Sequence, residues 1–121
     1  MSREQHCAQT YQAGLAAERS VARQYLRQGY EFRDHRWRGK GGEIDIVFAD
    51  GDTVVFVEVK KSATFDRAVQ SLSRRQIGRI LQTGAEYIGH LPRGSLTPVR
   101  FDVALVDARG AVQVLENALA A

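Results

Sequence analysis

Gly42-Glu43-Ile44-Asp45-Ile46-Val47-Phe48-Ala49-Asp50-Gly51-Asp52-Thr53-Val54-Val55-Phe56-Val57-Glu58-Val59-Lys60 reads as a β-hairpin. Gly51-Asp52 makes a two-residue turn in which the glycine supplies positive φ. Asp50 then faces Thr53, and counting back sets Asp45 opposite Glu58 and Glu43 opposite Lys60. Opposed residues share a face, and so do residues two apart on one strand. Glu43, Asp45, Glu58 and Lys60 therefore form one charged cluster, on a face continued by Val47, Phe56 and Val54. The other face holds Ile44, Ile46, Phe48, Val55, Val57 and Val59, all apolar. Such a hairpin needs cover on both sides, as in an α/β sheet between helices.

Three carboxylates against one ammonium leave net negative charge in strands that otherwise read as buried. Ionised groups are rarely buried without a partner or a metal. Like charges directly opposite each other destabilise a sheet. A divalent cation resolves that conflict, and hard oxygen donors suit Mg²⁺ or Mn²⁺. The competing reading is a solvated salt-bridge ladder at a sheet edge; these strands are too apolar for one.

Working outward, Ala8 to Gln28 reads as a helix with Leu15, Ala22, Tyr25 and Leu26 on its inner stripe and Gly29 as its stop. Glu18 falls on that inner stripe. It either pairs with a nearby arginine or reaches the charged cluster. Tyr30 to Arg38 is a strand with Arg36, Arg38 and Lys40 on one side and Trp37 on the other. Arg38-Gly39-Lys40-Gly41-Gly42 lacks the spacing of a P-loop, and is either a turn or a phosphate contact. Lys61 to Phe65 is a loop. Ser71 or Ser73 caps a second helix running to Gly89, with Ile77, Ile80, Leu81, Gly84, Ile88 and Leu91 inward. Arg74, Arg75 and Arg79 lie elsewhere on it as a basic surface. Val99 to Val106 is a strand with Phe101, Val103 and Leu105 on one face. Asp102, on the other, is expected to pair with Arg100 structurally. A short strand, Val112 to Leu115, follows Gly110. His6, His35 and His90 show no ligand spacing and read as surface residues.

The 121 residues suffice for one domain with a core, expected over about residues 8–115. A net charge of +3 mildly favours a polyanionic partner. Cys7 is the single cysteine, which excludes an intrachain disulfide and fits a reducing compartment. The polar start shows no signal peptide, and no apolar run approaches the roughly 20 residues of a membrane span. The expectation is a cytoplasmic protein that does not enter a membrane, with fraying at its first residues and alanine-rich tail.

The order helix, strand, hairpin, helix, strand, with Asp45 followed by Glu58-Val59-Lys60, resembles the restriction-endonuclease-like superfamily. More narrowly, the chain is similar to the YraN-like family of predicted endonucleases, themselves similar to archaeal Holliday-junction resolvases. Gly14 to Glu18 with Ala22 and Leu26, Gly29-Tyr30, Gly42-Glu43-Ile44-Asp45, Phe56 to Lys60 and Arg100-Phe101-Asp102-Val103 carry the likeness. Two positions depart from the family pattern. Ser62 stands where an arginine is common, and Asp66, after Phe65, where a glycine is common.

The resemblance implies a mixed sheet flanked by helices and a metal-dependent endonuclease acting on DNA, on branched, recombination or repair intermediates. Asp45 and Glu58 would hold one or two Mg²⁺ (or Mn²⁺), with the Val59 carbonyl as a further ligand. Lys60 would orient the water or stabilise transition-state charge. Glu18 would bind metal directly or through water, and Glu43 would be a secondary ligand or the partner of Lys60. Arg36, Arg38, Lys40, Lys61, Arg74, Arg75 and Arg79 would meet the phosphates. Junction resolution would favour a homodimer, since two symmetric cuts need two sites. The alternative is a nucleic-acid-binding protein that keeps the fold without cleaving.

Overall fold

The computed structural model describes residues 3–119, with side chains over 15–68 and 70–119. The readings of His6, Cys7, the inward-facing start of the first helix and the extreme ends lie outside the described side chains. Helix α1 (Arg3–Arg27) leads into β1 (Glu31–Arg38), β2 (Glu43–Asp50) and β3 (Thr53–Lys61). Helices α2 (Phe65–Gln70) and α3 (Arg74–Gly89) follow, then a 3₁₀ turn (Gly94–Leu96), β4 (Val99–Val106) and β5 (Val112–Leu115). The strands form one mixed sheet in the order β1-β2-β3-β4-β5. β1, β2 and β3 are antiparallel neighbours, β3 and β4 run parallel, and β5 returns antiparallel. A parallel pair needs a long crossover, and α2 and α3 supply it. This helix-flanked α/β sheet is the fold expected from the sequence and is consistent with a restriction-endonuclease-like architecture.

Each face of the sheet has its own core. α1 packs Ala17, Val21 and Tyr25 on Ile46, Phe48, Val55, Val57, Ala104 and Val106. α2 and α3 pack Ala68, Ile80, Tyr87 and Ile88 on Ile44, Val47, Val54, Phe56, Phe101, Val103 and Leu105. Ser73 starts α3 with a reciprocal capping box to Gln76. Gly84 lets α3 approach closely, since a Cβ there would meet the Phe101 ring at 2.7 Å.

Several local expectations need correction. α1 begins at Arg3 rather than Ala8, and its Leu26 is 51% exposed; the inner stripe runs instead through Ala17, Val21 and Tyr25. The stretch read as loop before α3 contains α2. Ile44 does not share a face with Ile46: it belongs to the α3-side core and Ile46 to the α1-side core. Strict alternation therefore breaks at Asp45, and a parity argument across that residue fails.

Candidate active site

The hairpin register holds from Asp50↔Thr53, with Gly51 at φ +59, to Ile46↔Val57. The ladder then stops. Its regular continuation would set Asp45 opposite Glu58. Instead the Val59 amide, free of a backbone partner on β2, donates to Asp45 Oδ2 at 2.8 Å. On β1, His35 pairs with Ile46 and Trp37 with Ile44, and Arg36 between them has φ +52. That left-handed conformation is uncommon outside glycine. β1 nevertheless stays paired with β2 on both sides of Arg36, and its one register shift falls earlier, between Phe32 and Asp34.

Glu58 and Lys60 come from β3, which continues straight. They sit level with Val103 and Leu105 of β4. Their side chains are mostly buried, 13% and 17% exposed, and Lys60 Nζ lies 3.8 Å from Glu58 Oε1. Glu58 Oε2 is buried with no hydrogen-bond partner. Burial is the largest influence on Glu58 and the Asp45 charge the next; together they raise its carboxyl from 4.5 to about 8, against the pull of Lys60. Burial also pushes the Asp45 carboxyl up, opposed by the Val59 amide and reinforced by the Glu18 charge. Without a cation, the pair relieves its repulsion by keeping a proton between the two carboxyls.

The other expected residues divide. Glu18 is inward as anticipated, only 7% exposed, and close enough for its charge to act on Asp45. Its hydrogen bonds go elsewhere: His35 Nε2 at 2.6 Å, and Arg36 Nε at 3.3 and 3.2 Å. Of the two open readings of Glu18, the structure shows the arginine pairing, with His35 as a second partner. His35 is more than a surface residue. No local signal named it, since it meets Glu18 only through the packing of α1 on β1. Glu43 pairs with Arg38 at 3.2 Å rather than with Lys60. In the glycine-rich connection, Gly39 closes a turn onto the Gly42 carbonyl, and the Lys40 amide donates to Glu86 Oε2 at 2.9 Å. Arg38, Lys40, Lys61, Arg74, Arg75 and Arg79 are exposed, whereas Arg36 is turned to Glu18. Arg79 packs beside Gly42 at the entry to β2.

Among the described residues, no three His, Cys, Asp or Glu side chains are gathered as a ready-made metal cage. The donor set nevertheless fits a hard divalent cation. Two mostly buried carboxyls act on each other, and without a cation only a shared proton relieves their repulsion. Asp45 and Glu58 could hold such a cation. The Val59 carbonyl lies on the strand edge that its amide also uses, and could add a third oxygen.

Sheet and site together define a mixed α/β protein with a buried Asp-Glu-Lys centre where two strands part. Its sequence places it among known chains. The protein belongs to the uncharacterised protein family UPF0102, whose family model matches residues 17–106. It is 58% identical to a UPF0102 protein of Roseobacter denitrificans over 109 residues, covering 90% of this chain and 84% of the relative. A UPF0102 protein of Ruegeria pomeroyi is 54% identical, over 88% of this chain and 86% of its own. One from Dinoroseobacter shibae is 44% identical, over 87% and 78%. The matched span contains every element from the Glu18 turn of α1 to the end of β4. Among the described residues, no helix is long and apolar enough to cross a membrane.

Proposed function

We propose that this protein is a metal-dependent endonuclease that hydrolyses phosphodiester bonds in DNA, with Mg²⁺ or Mn²⁺ held by Asp45 and Glu58. The observation that carries this reading is the buried Glu58 Oε2 without a partner, beside Asp45 and Lys60. Buried polar atoms are almost always satisfied, so an orphaned carboxylate oxygen in a mutually repelling pair marks a place for a cation. A bound cation would polarise the phosphate and acidify a water. Asp45, fixed by the Val59 amide, is oriented for that ligation before any cation arrives. Lys60, held near Glu58, supplies positive charge where the transition state becomes more negative. The exposed cations Arg38, Lys40, Lys61, Arg74, Arg75 and Arg79 give a strand of phosphates something to lie against.

Branched recombination or repair intermediates are the substrates the family resemblance favours, cut by a homodimer. One observation supports a second reading, a DNA-binding protein without cleavage: no third acidic or imidazole ligand is gathered among the described residues.

The test is cleavage of labelled single-stranded, duplex, flap and four-way-junction DNA with Mg²⁺ or Mn²⁺. Glu58→Ala and Lys60→Ala should each lose cutting by at least about a hundredfold while still binding DNA. Binding without cutting by wild type on every substrate would favour the second reading. Cutting by both variants at the wild-type rate would remove the assignment of the site.

A further inference from the structure

The geometry points to His35 and Arg36 as a clamp that withholds Glu18 from the Asp45–Glu58 centre until a nucleic-acid phosphate takes Glu18's place. The inference rests on the reading of that centre as a metal site for phosphodiester cleavage. Glu18 is almost fully buried and hydrogen-bonded to His35 and Arg36 of β1, and Arg36 lies opposite Asp45, between the pairs His35↔Ile46 and Trp37↔Ile44. Its carboxylate is thus positioned beside the centre and committed to other partners.

The two clamp residues can be reached from outside. Their side chains are 37% and 29% exposed, against 9% for Glu18. Imidazole and guanidinium donors that bind a carboxylate also bind a phosphate oxygen. Arg36 has a left-handed backbone conformation that a regular strand does not have, and its guanidinium is turned to Glu18. A phosphate arriving at β1 competes with Glu18 for the same donors. Released from them, Glu18 is an additional carboxylate for a cation at Asp45 and Glu58. By linkage, DNA then tightens cation binding, and the cation tightens DNA binding by the same factor. Metal-free protein would keep an incomplete ligand set, and phosphodiester substrate would complete it.

Mn²⁺ titration of the full chain without DNA tests the clamp independently of turnover. Arg36→Gln and His35→Ala should each bind Mn²⁺ about three- to tenfold more tightly than wild type, and Glu18→Gln should cut that gain in the double variants to what loss of the positive charge alone gives. Removing a nearby positive charge strengthens cation binding by itself, and the double variants separate the two effects. A gain undiminished in the Glu18→Gln background, or no gain or weaker binding in both single variants, overturns the clamp. His35→Ala guards against a folding defect from altering the left-handed Arg36, and thermal unfolding of each variant checks for one. If wild type binds no Mn²⁺ at all, the metal-site reading itself fails, and the clamp with it. Wild-type binding without tightening in the variants removes the clamp alone.

Discussion

Two buried carboxylate sites lie in this sheet, and they are finished differently. Asp102 on β4 is fully buried and saturated. It accepts from Tyr25 Oη at 2.7 Å, from Arg100 at 2.9 and 2.8 Å, and from the Asn117 amide at 2.9 Å. Arg100 in turn donates to Tyr30 Oη. The network ties α1, β4 and the segment after β5 together. Asp45 and Glu58 have one amide and one distant ammonium between them, and they repel each other. A fully satisfied buried charge holds a structure together; a half-satisfied one is destabilising unless something else binds. The difference separates a structural carboxylate from a working one without reference to any reaction.

The contrast is broken most severely by removing each acid. Asp102→Ala strands the Arg100 guanidinium, the Tyr25 hydroxyl and the Asn117 amide, and is expected to cost about 3–5 kcal/mol of stability in denaturant unfolding. Asp45→Ala should cost less than half of that in metal-free protein, because it also relieves repulsion. Equal losses at the two sites would erase the distinction.

A pH series sharpens it. The Glu58 carboxyl is raised from 4.5 to about 8 in the folded protein. Its contribution to stability is therefore fully present below pH 4.5 and is lost as pH rises through about 8. Glu58→Gln, which cannot ionise, should be about 2–4 kcal/mol more stable than metal-free wild type at pH 8.5 and nearly equal to it at pH 4. A stability difference that does not change with pH would contradict the burial of an unrelieved carboxylate.

The smallest effect concerns a single hydroxyl. Tyr25→Phe leaves the ring stacked 4.6 Å from Phe48 and removes one of the four hydrogen bonds that Asp102 accepts. Its cost should be about 1–2 kcal/mol, read from the shift in denaturation midpoint at unchanged slope.

Much of this was legible in the sequence. The Gly51-Asp52 turn fixes the register of β2 and β3 because local geometry alone sets it. β4 and β5 have the expected bounds, and Ser73 caps α3, since alternation and capping are local signals. Glu18, Asp45, Glu58 and Lys60 were each recognisable as charges in apolar company. The end of the β2–β3 pairing before Asp45 and the left-handed Arg36 were not, and the carboxylate that engages Arg36 is Glu18, eighteen positions earlier. The face change at Ile44 follows from the same break, so counting by twos carries one residue too far. His35 and Tyr25 were missed as polar partners for a related reason: each acts through a contact between α1 and the sheet, and no spacing within one element reveals it.

The account stands on the Asp45–Glu58 pair being a cation site that holds a proton when empty. Calorimetric titration of Mg²⁺ into the wild-type protein at pH 7, repeated in buffers of different ionisation enthalpy, tests this most directly. The expected result is binding with release of roughly one proton, and loss of both binding and release in Glu58→Gln. Absence of binding, or binding of equal strength by Glu58→Gln without a change in proton release, would contradict it.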